Sequence, residues 1–336
     1  MIPVVDSNLR PDALVDQVLC HYALPRVARC RLHARGLNDT FRVETFSGQV
    51  FYLRVYRAGW RTLAEIETEL DVLRHLSSLQ VSVCAPLPRI DGEVLTATQC
   101  PEGTRWACLF TAAPGHELER KSFTEDQAQL YGQAAARIHA AADLYEGPAH
   151  RPALDLDQLL DRPLALVSAA IAHRAADLSY LAEVGGRSSE RIRRTDALTK
   201  GFCHGDFHGR NAGFENDVFT FYDFDCCGWG YRAYDLAVFP WGFAVDESAP
   251  DRTEAMARAF LRGYRSHQPL SAVDASAIPA FVAIRQIWLM GLHLGLADRF
   301  GSGWLNDRYF DHAFATLRRW DETYLHRPDA DWLLQG

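Results

Sequence analysis

Lysine is almost missing from this chain: among the 35 basic residues in 336, only Lys121 and Lys200 are lysines. Chemistry that ordinarily rests on a lysine must therefore fall to arginine. Long apolar runs are also missing. The two longest, Leu236–Val245 and Ile287–Ala297, are interrupted by Pro240 and His293, and each is about half of the ~20 residues a membrane span needs. Met1–Arg10 has neither the basic start nor the apolar core of a signal peptide. No CxxC pair occurs among the eight cysteines, which argues against zinc and for reduced, buried thiols in a cytoplasmic protein. There is no excess of positive charge: 43 acidic residues against 35 basic give a formal net charge of −8. That excludes a general nucleic-acid binder and suits a cationic or neutral small partner. Internal repeats and long linkers are absent too.

What remains is an ordinary globular composition, 48% apolar and 23% charged, at a length that favours two lobes. Ala13–Tyr22 has helical spacing. Val27–His33, Thr40–Thr45, Val50–Arg57, Glu93–Cys100 and Trp106–Ala112 read as strands, with Ala34–Asp39 as a loop and Ser47-Gly48 as a turn. Arg61–Leu79 is a helix whose Leu63, Ile66, Leu70, Leu73 and Leu76 make one buried face. After a junction near Thr111–Gly115 the pattern turns helical. Gln127–Leu144 carries either Ser122-x-x-Glu125 or Thr124-x-x-Gln127 as a capping box. Two further helical patterns occupy 155–183, Gly185-Gly186 reads as a break, Phe202–Asp225 is a short β-rich island, and helices resume over about Thr253–Leu325. The expected architecture is α+β: a β-rich lobe over 1–112, with a five-stranded antiparallel sheet and a helix, and a mostly helical lobe over 113–336 that contains the island.

The island carries the chemistry. In His204-Gly-Asp-Phe-His-Gly-Arg-Asn211 the strand ends at Cys203–His204, Gly205 turns the chain, and Asp206 stands on a loop tip. Asn211 opens a strand to Phe214, Glu215-Asn216-Asp217 turns it, and Val218–Asp223 returns. Asp206, Asn211 and Asp223 thus converge on one point. A few hard oxygen ligands suit Mg²⁺, which keeps waters and shares phosphate oxygens. A carboxylate beside such a site but spared from it can orient a hydroxyl and take its proton late, as phosphoryl transfer to an alcohol requires.

These residues, with Tyr222-Asp-Phe-Asp-Cys-Cys-Gly-Trp-Gly and Tyr234-Asp-Leu-Ala, resemble the aminoglycoside phosphotransferase, choline kinase and homoserine kinase superfamily, which shares the protein-kinase fold. Within it they look most like the branch of bacterial stress-response and hydroxylysine-kinase-like enzymes. The resemblance spans about 25–325 and is sharp over 202–242. It implies that Asp206 is the catalytic base, that Asn211 and Asp223 hold Mg²⁺, that His204 supports the catalytic loop, and that Asp235 braces that loop from the next helix. Asp225 either touches a second metal or caps a turn.

The resemblance also implies a strand lysine on the nucleotide phosphates, paired with a helix glutamate. No lysine stands in Val50–Arg57. Arg54 takes its place, with Arg57 as the spare, and arginine keeps the charge with a different reach and geometry. Glu69 is its partner, with Glu65 as the alternate. Gly36–Thr40, including Asn38, Asp39 and Thr40, resembles the phosphate-covering turn. Adenine would bond to junction backbone near Leu109–Ala112, at Thr111, which leaves ATP and GTP equally open. Trp229, Tyr231, Trp241, Trp288 and Trp304 are aromatic material for core or acceptor pocket, and Asp246 and Glu247 could meet an amine. The expected function is a Mg²⁺-dependent kinase acting on the hydroxyl of an amino alcohol, amino acid, sugar or antibiotic, with no membrane or nucleic-acid partner. Alternatives are a Ser/Thr protein kinase, disfavoured by the short segment between Asp225 and Asp235, and a nucleotide-binding pseudokinase.

Overall fold

The computed structural model describes residues 2–195, 197–245, 252–327 and 331–334. They form two compact units. The first holds residues up to Pro114 together with 146–150 and 220–222; the second holds the rest. The division falls at Pro114–Gly115, within the junction taken from the sequence and two residues beyond the lobe boundary set at 112.

The first unit opens with helix α1, Pro11–Gln17, started by proline at its first position. Strands β1 (Val27–Arg35), β2 (Asp39–Thr45) and β3 (Val50–Val55) follow, then helix α2 (Leu63–Ser78), β4 (Thr96–Cys100) and β5 (Gly103–Thr111). The strands form one antiparallel sheet in the order β1-β2-β3-β5-β4. Strict alternation of buried and half-buried residues along β2 turns Phe41 and Val43 into a core with Leu53, Val55, Leu109, Leu14 and Leu19. Helix α2 starts at a capping box in which Thr62 and Glu65 exchange side-chain and backbone hydrogen bonds. Its buried face includes Ile66, Glu69, Leu70, Leu73 and Leu76. Leu63 is 38% exposed instead, because as the first helical residue it lies beyond the packed face. Arg105 is fully buried, yet donates to the Tyr56 and Val55 carbonyls and to Asp39, so its charge is neutralised and hydrogen-bonded.

The second unit begins with a two-residue strand β6 (His116–Glu117), then helix α3 (Glu125–Ala142). The capping box of α3 is Thr124 with Gln127; the Ser122 hydroxyl donates to the Glu119 carbonyl instead. Helix α4 spans Arg162–Ala170 and α5 Ala175–Arg193. Gly185-Gly186 does not break α5. Buried Leu181, Val184, Ser188 and Ile192 hold the helix through it, and Gly185 packs on Leu164, whose Cδ1 would lie 2.9 Å from an added Cβ. Packing here outweighs the ~1 kcal/mol propensity cost of each glycine.

Strand β7 (Lys200–Cys203) enters the island. β8 (Ala212–Glu215) and β9 (Val218–Phe221) are joined by Asn216-Asp217, both at positive φ, and β10 (Gly228–Tyr231) pairs with β7. The turn is thus a two-residue type I′ hairpin. Helix α6 (Arg232–Ala244) continues through Pro240. Helices α7 (Arg252–Arg265), α8 (Ala272–Gly295), α9 (Ala297–Phe300), α10 (Asp307–Trp320) and α11 (Asp331–Leu334) complete the chain. Helix α8 runs through Pro279 and His293, so its 24 residues are long and apolar enough to cross a membrane by length and composition, a segment that the interrupted sequence run did not show. It is a core helix here, with 78% of its most apolar window buried inside the fold.

Two features hold this unit together. Helices α3 and α7 meet at Gly132 and Gly263. A Cβ on Gly132 would lie 1.9 Å from the Phe260 carbonyl oxygen, and one on Gly263 the same distance from that of Gln129. Beneath the island, the buried Asp235 carboxylate accepts hydrogen bonds from His204 N (2.7 Å), Gly205 N (2.8 Å) and His139 Nε2 (2.9 Å). Since the carboxylate only accepts, His139 carries its proton on Nε2, and its Nδ1 accepts from the Tyr264 hydroxyl at 2.9 Å. Burial, then the charge of Arg232, outweigh Asp235 and push the His139 imidazole down to about 4. Cys203 lies in the same cluster; burial raises its thiol well above the ordinary range, and it donates to backbone carbonyls of Gly201 and Gly230. A protonated thiol, a neutral imidazole and a fully bonded carboxylate make a dry brace rather than a metal centre.

Two outcomes follow for stability. Gly132→Ala should cost about 1–3 kcal/mol by overpacking; an unchanged urea midpoint would show that the helices can part freely. His139 binds its proton near pH 6.5 when unfolded and only near 4 when folded. Stability is therefore complete above 6.5 and falls as pH drops through that window, by roughly 1–3 kcal/mol. Urea unfolding at pH 7 and pH 5 should show this loss in the wild type and much less of it in His139→Gln.

Candidate active site

The chain leaves β7 at Cys203 and turns at Gly205, whose φ is +82°. A Cβ there would lie 2.2 Å from the Cys226 carbonyl oxygen, so both conformation and space require glycine. The loop is fixed from beneath by Asp235 and internally by the Asp206 N–H, which donates to His204 Nδ1 at 3.2 Å. His204 is buried against Phe207 and Phe224, with ring centroids at 4.5 and 4.3 Å. Phe207 points into the core, and Asp206 stays partly accessible.

Asn211 comes directly to Asp206. Its Nδ2 donates to the Asp206 carbonyl at 3.1 Å and to Asp206 Oδ2 at 2.9 Å. The amide nitrogen is thereby committed, and the amide oxygen is left for another partner. The two-residue turn of the β8–β9 hairpin leaves Asn211 and Asp223 flanking its open end. Asp223 is exposed and sits in the left-handed region, at φ 62° and ψ 62°, a conformation that aspartate tolerates better than most residues. The next residues form a short turn, Phe224–Cys226, whose backbone is gripped by buried Arg151: Nε donates to the Cys227 carbonyl at 3.0 Å and Nη2 to that of Asp225. Asp225 itself is buried. An amide oxygen and a carboxylate form a hard donor set suited to Mg²⁺ rather than a soft metal.

Two residues of the site escaped the sequence reading. Arg285, on α8, contacts Asp206 Oδ1 through Nη2, while its Nη1 donates to the Gly205 carbonyl (3.2 Å) and the Tyr234 hydroxyl (3.1 Å). His208 places Nε2 3.6 Å from Asp206 Oδ2. Burial alone would raise the Asp206 carboxyl; the Arg285 guanidinium, then His208 and His204, more than offset it and hold it below the usual carboxylate range. Burial, in turn, lowers the His208 imidazole. His208 lies inside the motif and was open to notice. Arg285 is 79 positions away from Asp206, and no local pattern marks it.

In the first unit, Arg54 on β3 pairs with Glu69 on α2, Nη1 to Oε1 at 2.7 Å. Glu69 is fully buried and also accepts from the Tyr56 hydroxyl at 3.3 Å. The Arg54 guanidinium lies over the rings of Phe110 (5.3 Å) and Tyr56 (5.8 Å). The alternates are placed elsewhere: Glu65 serves the α2 capping box, and Arg57 lies beyond the end of β3, its N–H donating to Asn38 Oδ1 at 3.1 Å. Asp39 is buried with Arg105 (2.8 Å) and Arg35 (3.2 Å). Thr40 pairs with Arg54 across β2 and β3. The Thr111 hydroxyl accepts from the Ala85 N–H at 3.0 Å. Side chains of Asn38, Asp39 and Thr111 are thus engaged within the fold.

Trp288 and Trp241 flank Arg285, with the guanidinium 4.2 and 4.9 Å from their rings. Trp304 packs on His293 (5.1 Å) and Tyr309 (5.4 Å) and remains 40% exposed. Trp229 is about half exposed on β10, and Tyr231 lies under Lys200 at 4.9 Å. Asp246 and Glu247 lie outside the described residues.

Comparison with known proteins agrees with this architecture. A protein of Deinococcus radiodurans is 41% identical over 328 residues, which cover 96% of this chain and 93% of that one. One of Synechocystis is 32% identical, over 99% and 89%. A homoserine kinase of Cupriavidus necator is 27% identical, over 92% and 90%. Among solved structures, an amicoumacin kinase in complex with AMP-PNP, Ca²⁺ and Ami superposes with a TM-score of 0.76 at 18% identity, covering 96% of this chain and 97% of that one. A microcompartment-associated aminopropanol kinase gives 0.71 at 22% identity, over 93% and 97%. The fold is a two-unit α+β protein-kinase-like fold. The model of the phosphotransferase enzyme family matches residues 30–270, and the chain belongs to that family.

Proposed function

We propose that this chain is a Mg²⁺-dependent kinase that moves the γ-phosphoryl group of ATP or GTP to a hydroxyl of a small molecule. The observation that carries the reading is the Asp206 carboxylate, held ionised by its neighbours and oriented by Asn211 at 2.9 Å. Asp206 accepts the hydrogen bond of the acceptor hydroxyl and aligns its oxygen. As the new O–P bond forms and the bond to the leaving diphosphate breaks, the hydroxyl proton passes to Asp206. A carboxylate of low basicity suits a loose transition state, in which the proton moves late. His204 keeps the loop in register through its Nδ1 bond to Asp206 N. The Asn211 amide oxygen and the Asp223 carboxylate are assigned to Mg²⁺, which when bound neutralises charge on the nucleotide phosphates. Arg54, held rigid by Glu69 and two aromatic rings, is assigned to the phosphates in place of a lysine; Asn38, at the turn, and Asp39 and Thr40, which open β2 rather than lie in the turn, are assigned to the phosphate-covering segment, and Thr111 to the base through its backbone.

Support for a small acceptor comes from the segment between Asp225 and Asp235. It is consumed by β10 and the start of α6, which leaves no extended platform for a peptide. The proteins this chain resembles whose names state an activity are kinases named for small molecules: homoserine, aminopropanol and amicoumacin. Screening ADP release against amino alcohols, hydroxy amino acids, aminoglycosides and nucleoside antibiotics, with a generic protein as control, tests the reading. Turnover confined to the protein would reject it.

Asp206→Ala should lower kcat by about 10²–10⁴-fold and leave nucleotide binding largely intact; near-normal turnover would remove Asp206 from the base role. Asp223→Ala should abolish the Mg²⁺-dependent part of the ATP-induced rise in Tm, and an undiminished rise would reject the ligand assignment.

A further inference from the structure

Arg285 is 3% exposed, although an arginine would ordinarily keep its head in water. Its two terminal nitrogens are held, while its buried Nε has no hydrogen-bond partner. One nitrogen donates to the Gly205 carbonyl and the Tyr234 hydroxyl, the other reaches Asp206 Oδ1, and the plane lies between Trp288 and Trp241. Trp241 is itself pinned, Nε1 donating to Gln286 Oε1 at 2.8 Å. Helices α6 and α8 thus present one fixed cation to the loop tip. Asp206 receives Asn211 on Oδ2 and Arg285 on Oδ1. A carboxylate has about four lone-pair sites, so each oxygen keeps one for a substrate.

We propose that Arg285 is the positioning residue of the phosphoryl-transfer step: it locks the rotation of the Asp206 carboxylate, so that the acceptor hydroxyl meets a preset lone pair. This rests on the base role assigned to Asp206. A neutral residue at 285 would leave Asp206 with one strong donor, free to rotate about its terminal bond, and buried without its counter-charge. Other groups facing the carboxylate are His208 and His204 from its own loop and the Asn211 amide. Tyr234 from α6 and Cys226 from the following turn act on Arg285. None of these supplies a permanent positive charge. Lysine at 285 would keep the charge but lose the fork that holds Gly205, Tyr234 and Asp206 together.

The test is steady-state kinetics of the full chain with the best acceptor from the panel. Arg285→Gln and Arg285→Lys should each lower kcat more than tenfold with little change in KM for MgATP. Wild-type kcat in either variant overturns the proposal, as does a KM for MgATP that rises in step with the fall in kcat. Should Arg285→Gln not fold, the guanidinium decides: slow Nη rotation by ¹⁵N NMR in the wild type should be lost in Asp206→Asn, and free rotation in the wild type overturns the lock. Full turnover in Asp206→Asn would instead defeat the base role itself, which keeps the two failures apart.

Discussion

The site depends on one buried carboxylate that touches no substrate. Asp235 gathers the N–H groups of His204 and Gly205 at the point where the chain leaves β7. Those groups have no strand partner at that turn, and leaving them buried and unpaired would cost about 1–3 kcal/mol each. His139 and, through it, Tyr264 complete the shell around the charge. The arrangement succeeds only when every member is satisfied. It fixes the loop by its backbone, which leaves the side chains of Asp206 and Asn211 free of structural duty and available for chemistry.

The sheet was legible because its strands are amphipathic. Residues along β2 alternate cleanly, and the Ser47-Gly48 turn separates it from β3. The core helices were harder to read. Prolines 240 and 279 and Gly185-Gly186 signal interruption, yet α6, α8 and α5 run through them, because burial, of most of α6 and α8 and of one face of α5, supplies more free energy than propensity removes. β10 was missed for a related reason: Gly228-Trp-Gly-Tyr231 has too few side chains to alternate, and its glycines are there for close approach to Pro152 and Leu154.

The site divides in the same way. Asp206 and Asn211 lie five residues apart, and their spacing alone predicts that they meet. Glu69 is preferred over Glu65 by its place in the helix, and the structure separates them by the capping box that occupies Glu65. Arg285 left no trace in the sequence: a single arginine in an apolar helix reads as a defect in a buried face until its partners are seen.

Five of the arginines described above, at 54, 105, 151, 232 and 285, are buried or nearly so. Three of them, at 105, 232 and 285, bind a backbone carbonyl as well as an acid, and Arg151 binds two carbonyls. One planar fork can satisfy several acceptors at once, which an ammonium group does less readily. The consequence reaches beyond folding. Arg54 offers no primary amine, and the two lysines of the chain stand elsewhere, Lys121 exposed beside Glu119 and Lys200 over Tyr231. Acylating reagents that tag kinases through a strand lysine would find nothing to modify on β3. The cation there cannot be silenced by acetylation, nor by alkaline conditions that would discharge an amine.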